Sequence, residues 1–133
     1  MGSREALRWA AEEVATVGGF LDVVMAWEPV NPEAWIPHDP PGTDRLALTR
    51  HAVQRIVKEA LGKHPAVRVE ARAVEGAAAK VLVSEAKDAD LLVVGSRGHG
   101  GFAGLLLGSV SLHCVTHAPC PVVVVRGGSS KRS

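Results

Sequence analysis

The sequence predicts an α/β fold, an open and mostly parallel sheet with helices on both faces. Segments with apolar residues at helical spacing alternate with short apolar runs of strand length, in the order α-β-α-β-α-β-α-β. The composition agrees, because hydrophobic residues make up 47% of the chain and aromatic residues only 4%. Small aliphatic side chains of this kind suit Ala-rich helices that pack on Val-rich strands.

The first half of the chain begins with a predicted helix over residues 4–17, whose apolar residues share one face. The glycine pair Gly18–Gly19 ends this helix. Phe20–Trp27 is typical of a short buried strand. The segment Glu28–Thr43 holds five prolines and is predicted to be a long loop. Helical spacing then returns over Asp44–Leu61.

The second half continues the alternation. Val67–Val74 alternates apolar with charged residues, which predicts a strand near a sheet edge with one wetter face. Gly76–Lys87 has helical spacing, and the wholly apolar Leu91–Val94 is typical of a strand buried on both faces. The remaining elements are a glycine-rich loop over Gly95–Gly104, a helix from about Ser109 to His117 and a last strand over Pro121–Val125.

Length and charge limit the classes of function. We expect one domain over residues 1–126 and a polar, disordered tail over 127–133. The 15 basic and 14 acidic residues nearly cancel, so bulk charge gives no preference for nucleic acid or a membrane surface. No apolar run approaches the ~20 residues that cross a bilayer, and the amino terminus does not resemble a secretory signal. We therefore expect a cytoplasmic protein with reduced thiols.

The segment that follows Leu91–Val94 carries the strongest functional pattern, because ligands of open α/β sheets bind beyond the carboxyl ends of the strands. Gly95 and Gly98 allow the main chain to turn and to approach a ligand closely. Gly108 and Ser109 open the next helix, whose free N–H groups attract an anion. This spacing predicts a phosphate site.

Two further side chains fit a phosphate site, since the Ser111 hydroxyl could donate to phosphate oxygens and Arg97 could add positive charge. The same residues also fit plain turn glycines with Ser109 as a helix cap, and the spacing alone leaves both readings open. No lysine lies between Lys87 and Lys131, which excludes the phosphate loop of nucleoside triphosphatases. The dinucleotide-binding pattern GxGxxG requires three closely spaced glycines directly after a strand, and Gly95-Ser96-Arg97 does not match it.

The pattern Gly95-x-x-Gly98, nine residues and then Gly108-Ser109 resembles the ATP-binding motif of universal stress proteins. The resemblance extends from Gly2 to Arg126. The resemblance implies a small, usually dimeric α/β protein of the cytosol that is induced under stress and binds ATP. Whether Mg²⁺ accompanies the ATP is left open. The residues that would contact the nucleotide by this likeness are Gly95, Arg97, Gly98, Gly108, Ser109, Val110 and Ser111.

The sequence departs from the family pattern at its start. Family members begin with a strand that ends in Asp-Gly-Ser, and the Asp helps to hold the adenosine end of the nucleotide. Here Met1 stands where that Asp would be, and Gly2 and Ser3 follow at once. The resemblance therefore implies that the first, central strand of a five-stranded sheet ordered 3-2-1-4-5 is missing. A misplaced start or a shortened chain would explain this, and a true short form would need a borrowed strand or a closed gap.

The resemblance also implies a homodimer in which the last strand, Pro121–Val125, pairs with its copy in a second subunit. The alternative is that the tail or a helix covers this uncharged edge. Trp27 and Trp35 flank the proline-rich loop, where one of them could stack on an adenine or simply close the core. His113 and His117 have metal-compatible spacing, but no acidic residue follows Asp90, and surface or packing roles are expected.

These observations predict an ATP-binding regulator of the stress response that acts through an unknown protein partner. The sequence shows no general base, metal-binding carboxylate pair or activated nucleophile beside the glycine loop, so no catalytic and no metal-binding residue is predicted. Two alternatives remain open. The first is an enzyme, such as a slow ATP hydrolase, a phosphatase or a nucleotidyl transferase. The second is a dimeric interaction module that works without nucleotide.

Overall fold

The computed structural model describes residues 2–29, 43–96 and 107–126. Four helices and four strands alternate along this part of the chain, which confirms the predicted order of elements. The elements are α1 (Gly2–Val17), β1 (Leu21–Trp27), α2 (Arg45–Leu61), β2 (Val69–Glu75), α3 (Ala78–Glu85), β3 (Leu92–Gly95), α4 (Ser109–His117) and β4 (Val122–Val125). Most of the proline-rich loop, nearly all of the glycine-rich loop and the tail lie outside the described residues.

The strands form two parallel pairs, β1 with β2 and β3 with β4. The prediction of an open, parallel α/β fold is thus confirmed, but the four strands make two two-stranded sheets instead of one. In the described part of the chain β1 and β3 pair neither with each other nor with a fifth strand, in agreement with the missing central strand that the family resemblance implies. Each of the four described strands therefore pairs on one side only.

Helices cover both faces of the β1–β2 pair. Arg72 of β2 donates to Glu85 of α3, whereas Val69 and Ala71, whose side chains point the other way, line a cleft together with residues of α2. On the other pair, α1 packs against β3 and β4, and it also contacts α2 and β1. α4 packs against β4 and α3. Each parallel pair needs a connection that crosses back over the sheet, and the helices α2 and α4 in these connections produce the layers.

Glycine and aspartate set the ends of the first two helices. α1 ends where Gly18 and Gly19 adopt φ angles of 93° and 96°, a conformation that other residues rarely adopt. α2 begins after Asp44, whose carboxylate accepts a hydrogen bond of 3.1 Å from the Ala47 N–H. It ends at Gly62, whose N–H donates to the Lys58 carbonyl.

The buried core is small and aliphatic. The apolar side chains that are buried are Ala6, Leu7, Ala10, Val53, Val81, Ala86, Val94 and Cys114. Apart from Val94, the apolar strand residues are only half-buried, although their sequence is typical of a sheet interior. No helix in the described ranges is long and apolar enough to span a membrane.

Ion pairs join elements that are far apart in sequence. Arg4 of α1 pairs with Glu59 of α2, so the first turn of α1 is held against the last turns of α2. Arg72 of β2 donates to both carboxylate oxygens of Asp22 on β1, at 3.0 and 2.8 Å, and also contacts Glu85. These two carboxylates raise the pKa of Arg72 above its ordinary value. The charged face predicted for this strand is therefore the face that binds α3.

Candidate functional site

The carboxyl end of β3 and the start of α4 lie side by side. The N–H of Ser96, the residue after β3, donates to the Val125 carbonyl at 2.8 Å. The Ser96 carbonyl accepts from the Gly108 N–H at 2.7 Å. Ser96 is buried and has both backbone groups engaged. The two hydrogen bonds hold the start of α4 directly beyond the end of β3, which is the edge where ligands of α/β sheets bind.

The first turn of α4 presents backbone donors. The helix begins after Gly108, which offers no side chain to cap it, and its first internal hydrogen bond runs from the Leu112 N–H to the Gly108 carbonyl at 2.9 Å. The N–H groups of Ser109, Val110 and Ser111 have no acceptor among the described residues. Together with the exposed Ser109 hydroxyl and the positive end of the helix dipole, these groups suit a phosphate or carboxylate.

Ser111 connects this helix to the sheet. Its side chain is buried, and its hydroxyl donates to the carbonyl of Gly95, the last residue of β3. The single hydroxyl hydrogen is therefore used inside the protein, while the oxygen keeps lone pairs that can accept a hydrogen bond. The contact fixes the position of α4 relative to β3. The backbone N–H of Ser111, in the first turn, remains a candidate donor to an anion.

A second helix begins at the same place. A Cβ atom on Gly95 would lie 3.1 Å from the carbonyl carbon of Gly2 and 3.2 Å from its Cα atom. Only a glycine leaves room for so close a backbone approach. The amino terminus of α1 thus meets the carboxyl end of β3, and the starts of α1 and α4 converge there. Nothing in the local sequence pattern signals this long-range contact.

Five of the seven predicted site residues are brought together by this arrangement. They are Gly95, Gly108, Ser109, Val110 and Ser111. Arg97 and Gly98 lie outside the described residues, as do His99 and Trp35. Ser96 was not among the predicted residues, and its burial directly after β3 is the feature that sequence reasoning overlooked.

A cleft of about 490 Å³ lies beyond the carboxyl ends of β1 and β2. The residues that line it include Trp27, Arg45, Thr49 and Gly76. The Gly76 backbone N–H donates to the Trp27 carbonyl at 2.8 Å, and the Arg45 guanidinium donates to the Glu28 carbonyl at 3.1 Å. Since α1 starts at the end of β3 and finishes just ahead of β1, the strands run in one direction, and the cleft shares its sheet edge with the start of α4.

The two histidines of α4 contact each other, and its one cysteine lies inside the core. The rings of His113 and His117 stack at 4.3 Å, and the His117 Nδ1 atom lies 3.1 Å from the His113 carbonyl oxygen. Within residues 2–29, 43–96 and 107–126 no group of three potential ligands could hold a metal ion. Cys114 is fully buried, which raises the pKa of its thiol, and Cys120 is half-buried.

Comparison with known proteins gives a consistent result. The sequence model of the universal stress protein family matches residues 2–126. A universal stress protein of Mycobacterium tuberculosis is 35% identical over 129 residues, which cover 88% of this chain but only 42% of the relative. The chain therefore spans less than half the length of this relative.

Two solved structures share both fold and detectable sequence identity. The crystal structure of a universal stress protein in complex with cAMP has a TM-score of 0.63 and 28% identity, covering 94% of this chain and 87% of that one. A universal stress protein family member from Arabidopsis thaliana with AMP bound has a TM-score of 0.56 and 26% identity, covering 98% and 81%.

Proposed function

The chain belongs to the universal stress protein family, and on that premise we propose that it binds an adenine nucleotide, with ATP as the preferred ligand. The phosphates bind at the start of α4, beside Gly95 and Gly2 at the end of β3. The bound nucleotide then controls a regulatory role of the protein in the stress response, which it exerts in the cytoplasm through a protein partner.

One observation carries this proposal, namely the uncapped first turn of α4 beyond the end of β3. Three N–H groups, on Ser109, Val110 and Ser111, point out of the helix without an acceptor among the described residues. Gly95 packs against the backbone of Gly2 and so brings the start of α1 to the same place. The two relatives with bound cAMP and AMP support an adenine nucleotide over other anions.

We propose a position for the adenine base at the carboxyl ends of β1 and β2, on the same side of the fold as the start of α4. The cleft beside Trp27 is large enough for an adenine ring, since small-molecule sites begin at about 300 Å³. We propose that the adenosine end lies toward this cleft, with the indole of Trp27 available for stacking. Arg97 and Gly98 belong to the proposed site through the family motif and complete the phosphate contacts.

We propose a binding protein and not an enzyme. The described part of the site supplies backbone N–H groups and the Ser109 hydroxyl, which stabilise phosphate charge by hydrogen bonding but do not activate a water molecule. We propose that Mg²⁺ binds to the protein only as a complex with ATP. A time course of ATP with Mg²⁺ tests the hydrolase alternative, since turnover that Ser109→Asp abolishes would establish an enzyme.

Titration of the full chain with ATP tests the proposal directly. The parent protein should bind one ATP per chain, measured by isothermal titration calorimetry. Ser109→Asp should weaken binding at least tenfold, because a carboxylate about 4 Å from a phosphate costs about 4 kcal/mol at an effective dielectric constant of 20. Ser109→Asn, of equal size and uncharged, is the matched control and should bind within a few-fold of the parent.

The Asp variant keeps the test independent of folding, because an acidic residue in the first turn of a helix favours the helix dipole. Equal binding by the Asp variant would refute the proposed phosphate site. Absence of saturable binding by the parent, with no effect of ATP on its melting temperature, would favour the nucleotide-independent interaction module.

We also propose a homodimer that pairs β4 with its copy. The outer edge of β4 has no partner strand among the described residues, and its four valines are only half-buried. The neighbouring helix α4 exposes 54% of Leu112 and 47% of Val115. Sedimentation equilibrium should give a dimer for the parent. Val124→Pro, which removes an outward N–H from the edge, should give a monomer, and a monomeric parent would refute the dimer.

A further inference from the structure

The last two turns of α4 hold a pair of histidines, at the opposite end of this helix from the proposed phosphate site. His113 and His117 are four residues apart, so their side chains lie on the same face of the helix. The ring centroids are 4.3 Å apart, and the ring planes are inclined to each other by 24°. His117 is exposed and His113 is half-buried, so both rings are accessible from solvent.

A hydrogen bond to the backbone determines which nitrogen of the His117 ring carries the proton. The Nδ1 atom of His117 lies 3.1 Å from the carbonyl oxygen of His113. Because a carbonyl oxygen only accepts, Nδ1 of the neutral ring carries the hydrogen and Nε2 keeps its lone pair. Histidines that bind metals commonly donate their other ring N–H to a backbone carbonyl in this way, which orients the ring. Nε2 of His117 is therefore available to coordinate a metal ion.

The separation of the two rings fits a single metal ion between them. A zinc ion lies about 2.0–2.1 Å from a histidine nitrogen, so two nitrogens bound to one tetrahedral ion are about 3.3 Å apart. With the ring centroids 4.3 Å apart, a small tilt of the His113 ring brings one of its nitrogens to that distance from Nε2 of His117. Both ligands belong to one helix, so the backbone does not need to move.

The chemistry of α4 favours a particular class of cation. The histidine pair lies at the carboxyl end of the helix, where free carbonyl groups and the helix dipole attract positive charge. The helix contains no lysine or arginine that would repel a cation. It also contains no carboxylate, the ligand type that Mg²⁺ and Ca²⁺ prefer. Imidazole nitrogens instead suit Zn²⁺, Cu²⁺ and Ni²⁺.

We infer that His113 and His117 together bind one divalent transition-metal ion of the Zn²⁺ class. The two imidazoles chelate the ion across one turn of α4, and water fills its remaining positions. Two protein ligands are fewer than the three or four of a permanent zinc site, so the bound ion exchanges with solvent. This site does not depend on the proposed nucleotide function.

Titration of the full chain with Zn²⁺ in the absence of nucleotide tests the inference. Isothermal titration calorimetry should show one Zn²⁺ ion bound per chain, and millimolar Mg²⁺ should not compete with it. His113→Asn and His117→Asn should each weaken the binding by roughly tenfold or more, because either change leaves one imidazole and removes the gain from binding through two at once.

Two control variants separate the pair from the histidine content of the chain. His51 is exposed on α2 and has no histidine three or four positions away, so His51→Asn should bind Zn²⁺ like the parent. Leu112→His combined with His113→Asn keeps the number of histidines but places them on different faces of α4, and this variant should bind as weakly as His113→Asn alone. Leu112 is 54% exposed, so its replacement leaves the core intact.

The ring nitrogens give a structural readout of the same titration. In ¹⁵N NMR spectra of the histidine rings, Zn²⁺ should shift the Nε2 resonance of His117, while Nδ1 of that ring keeps its proton. Absence of saturable Zn²⁺ binding, parent-like affinity of the Leu112→His/His113→Asn variant, or coordination through Nδ1 of His117 would overturn the inference. Binding that Cys120→Ser removes and His113→Asn leaves intact would also overturn it.

Discussion

Replacement of Gly95 by alanine tests the contact on which the shape of the site depends. The added Cβ atom would lie 3.1 Å from the Gly2 carbonyl carbon and 3.2 Å from both its Cα and its oxygen. These are backbone atoms of the first turn of α1, so the whole turn must shift by a few tenths of an ångström. Overpacking of this kind typically costs 1–3 kcal/mol, and we expect about 1–2 kcal/mol here.

The expected consequences of Gly95→Ala can be measured separately. Scanning calorimetry should show a melting temperature lower by about 3–8 °C, given the scaling for a domain of this size. Calorimetric titration should show ATP binding weakened on the order of tenfold, which corresponds to 1.4 kcal/mol. Both effects have one cause, the displacement of α1 from the end of β3.

Gly62→Ala is the matched control for this change. Gly62 has φ and ψ angles of 84° and 179° with no atom within 4 Å of an added Cβ, so alanine there costs about 1–3 kcal/mol of backbone strain far from the site. It should lower stability to a similar extent and leave ATP binding unchanged. A Gly95→Ala protein with the stability and affinity of the parent would refute the close contact with Gly2.

Three further outcomes are expected. Arg4 lowers the pKa of Glu59 by hydrogen bonding, so the stabilisation from this pair is complete above the ordinary carboxyl pKa and is lost as the pH falls through the lowered pKa. Glu59→Gln should therefore be less stable than the parent at pH 7, and the difference in denaturant midpoint should shrink as the pH is lowered below about 4.5. Burial and a raised pKa should make Cys114 react with iodoacetamide at least tenfold more slowly than Cys120 in the native protein, and mass spectrometry of the labelled peptides should show equal rates only after unfolding. Arg72→Met should lower the free energy of unfolding by about 1 kcal/mol, since it removes contacts to two carboxylates that are partly exposed, and an unchanged urea midpoint would show that the network contributes nothing.

Local patterns predicted the helices and strands because each of these elements depends on residues that are close together in the sequence. The apolar spacing of α1, the Asp44 cap of α2 and the run Leu92–Val94 all depend on side chains within a few positions of each other. The glycine and serine spacing predicted that Gly95 and the start of α4 lie together, since a parallel strand and its following helix meet at one sheet edge.

Contacts between distant segments could not be predicted in the same way. The approach of Gly2 to Gly95 and the use of the Ser111 hydroxyl by a backbone carbonyl depend on how α1 and α4 pack on the sheet. The charged face of β2 was expected to be wetter, but Arg72 and its carboxylate partners bind α3 there. The family resemblance implied a missing central strand, but the division into two sheets was not predicted, since periodicity does not show how the remaining strands pair.

The most direct test of the account follows the backbone amides of the proposed phosphate site during an ATP titration. In ¹⁵N-correlated NMR spectra of the full chain, the amides of Ser109, Val110 and Ser111 should show the largest shifts, and they should saturate together at one ATP per chain. Saturable binding that leaves these three resonances in place, or no binding at all, would contradict it.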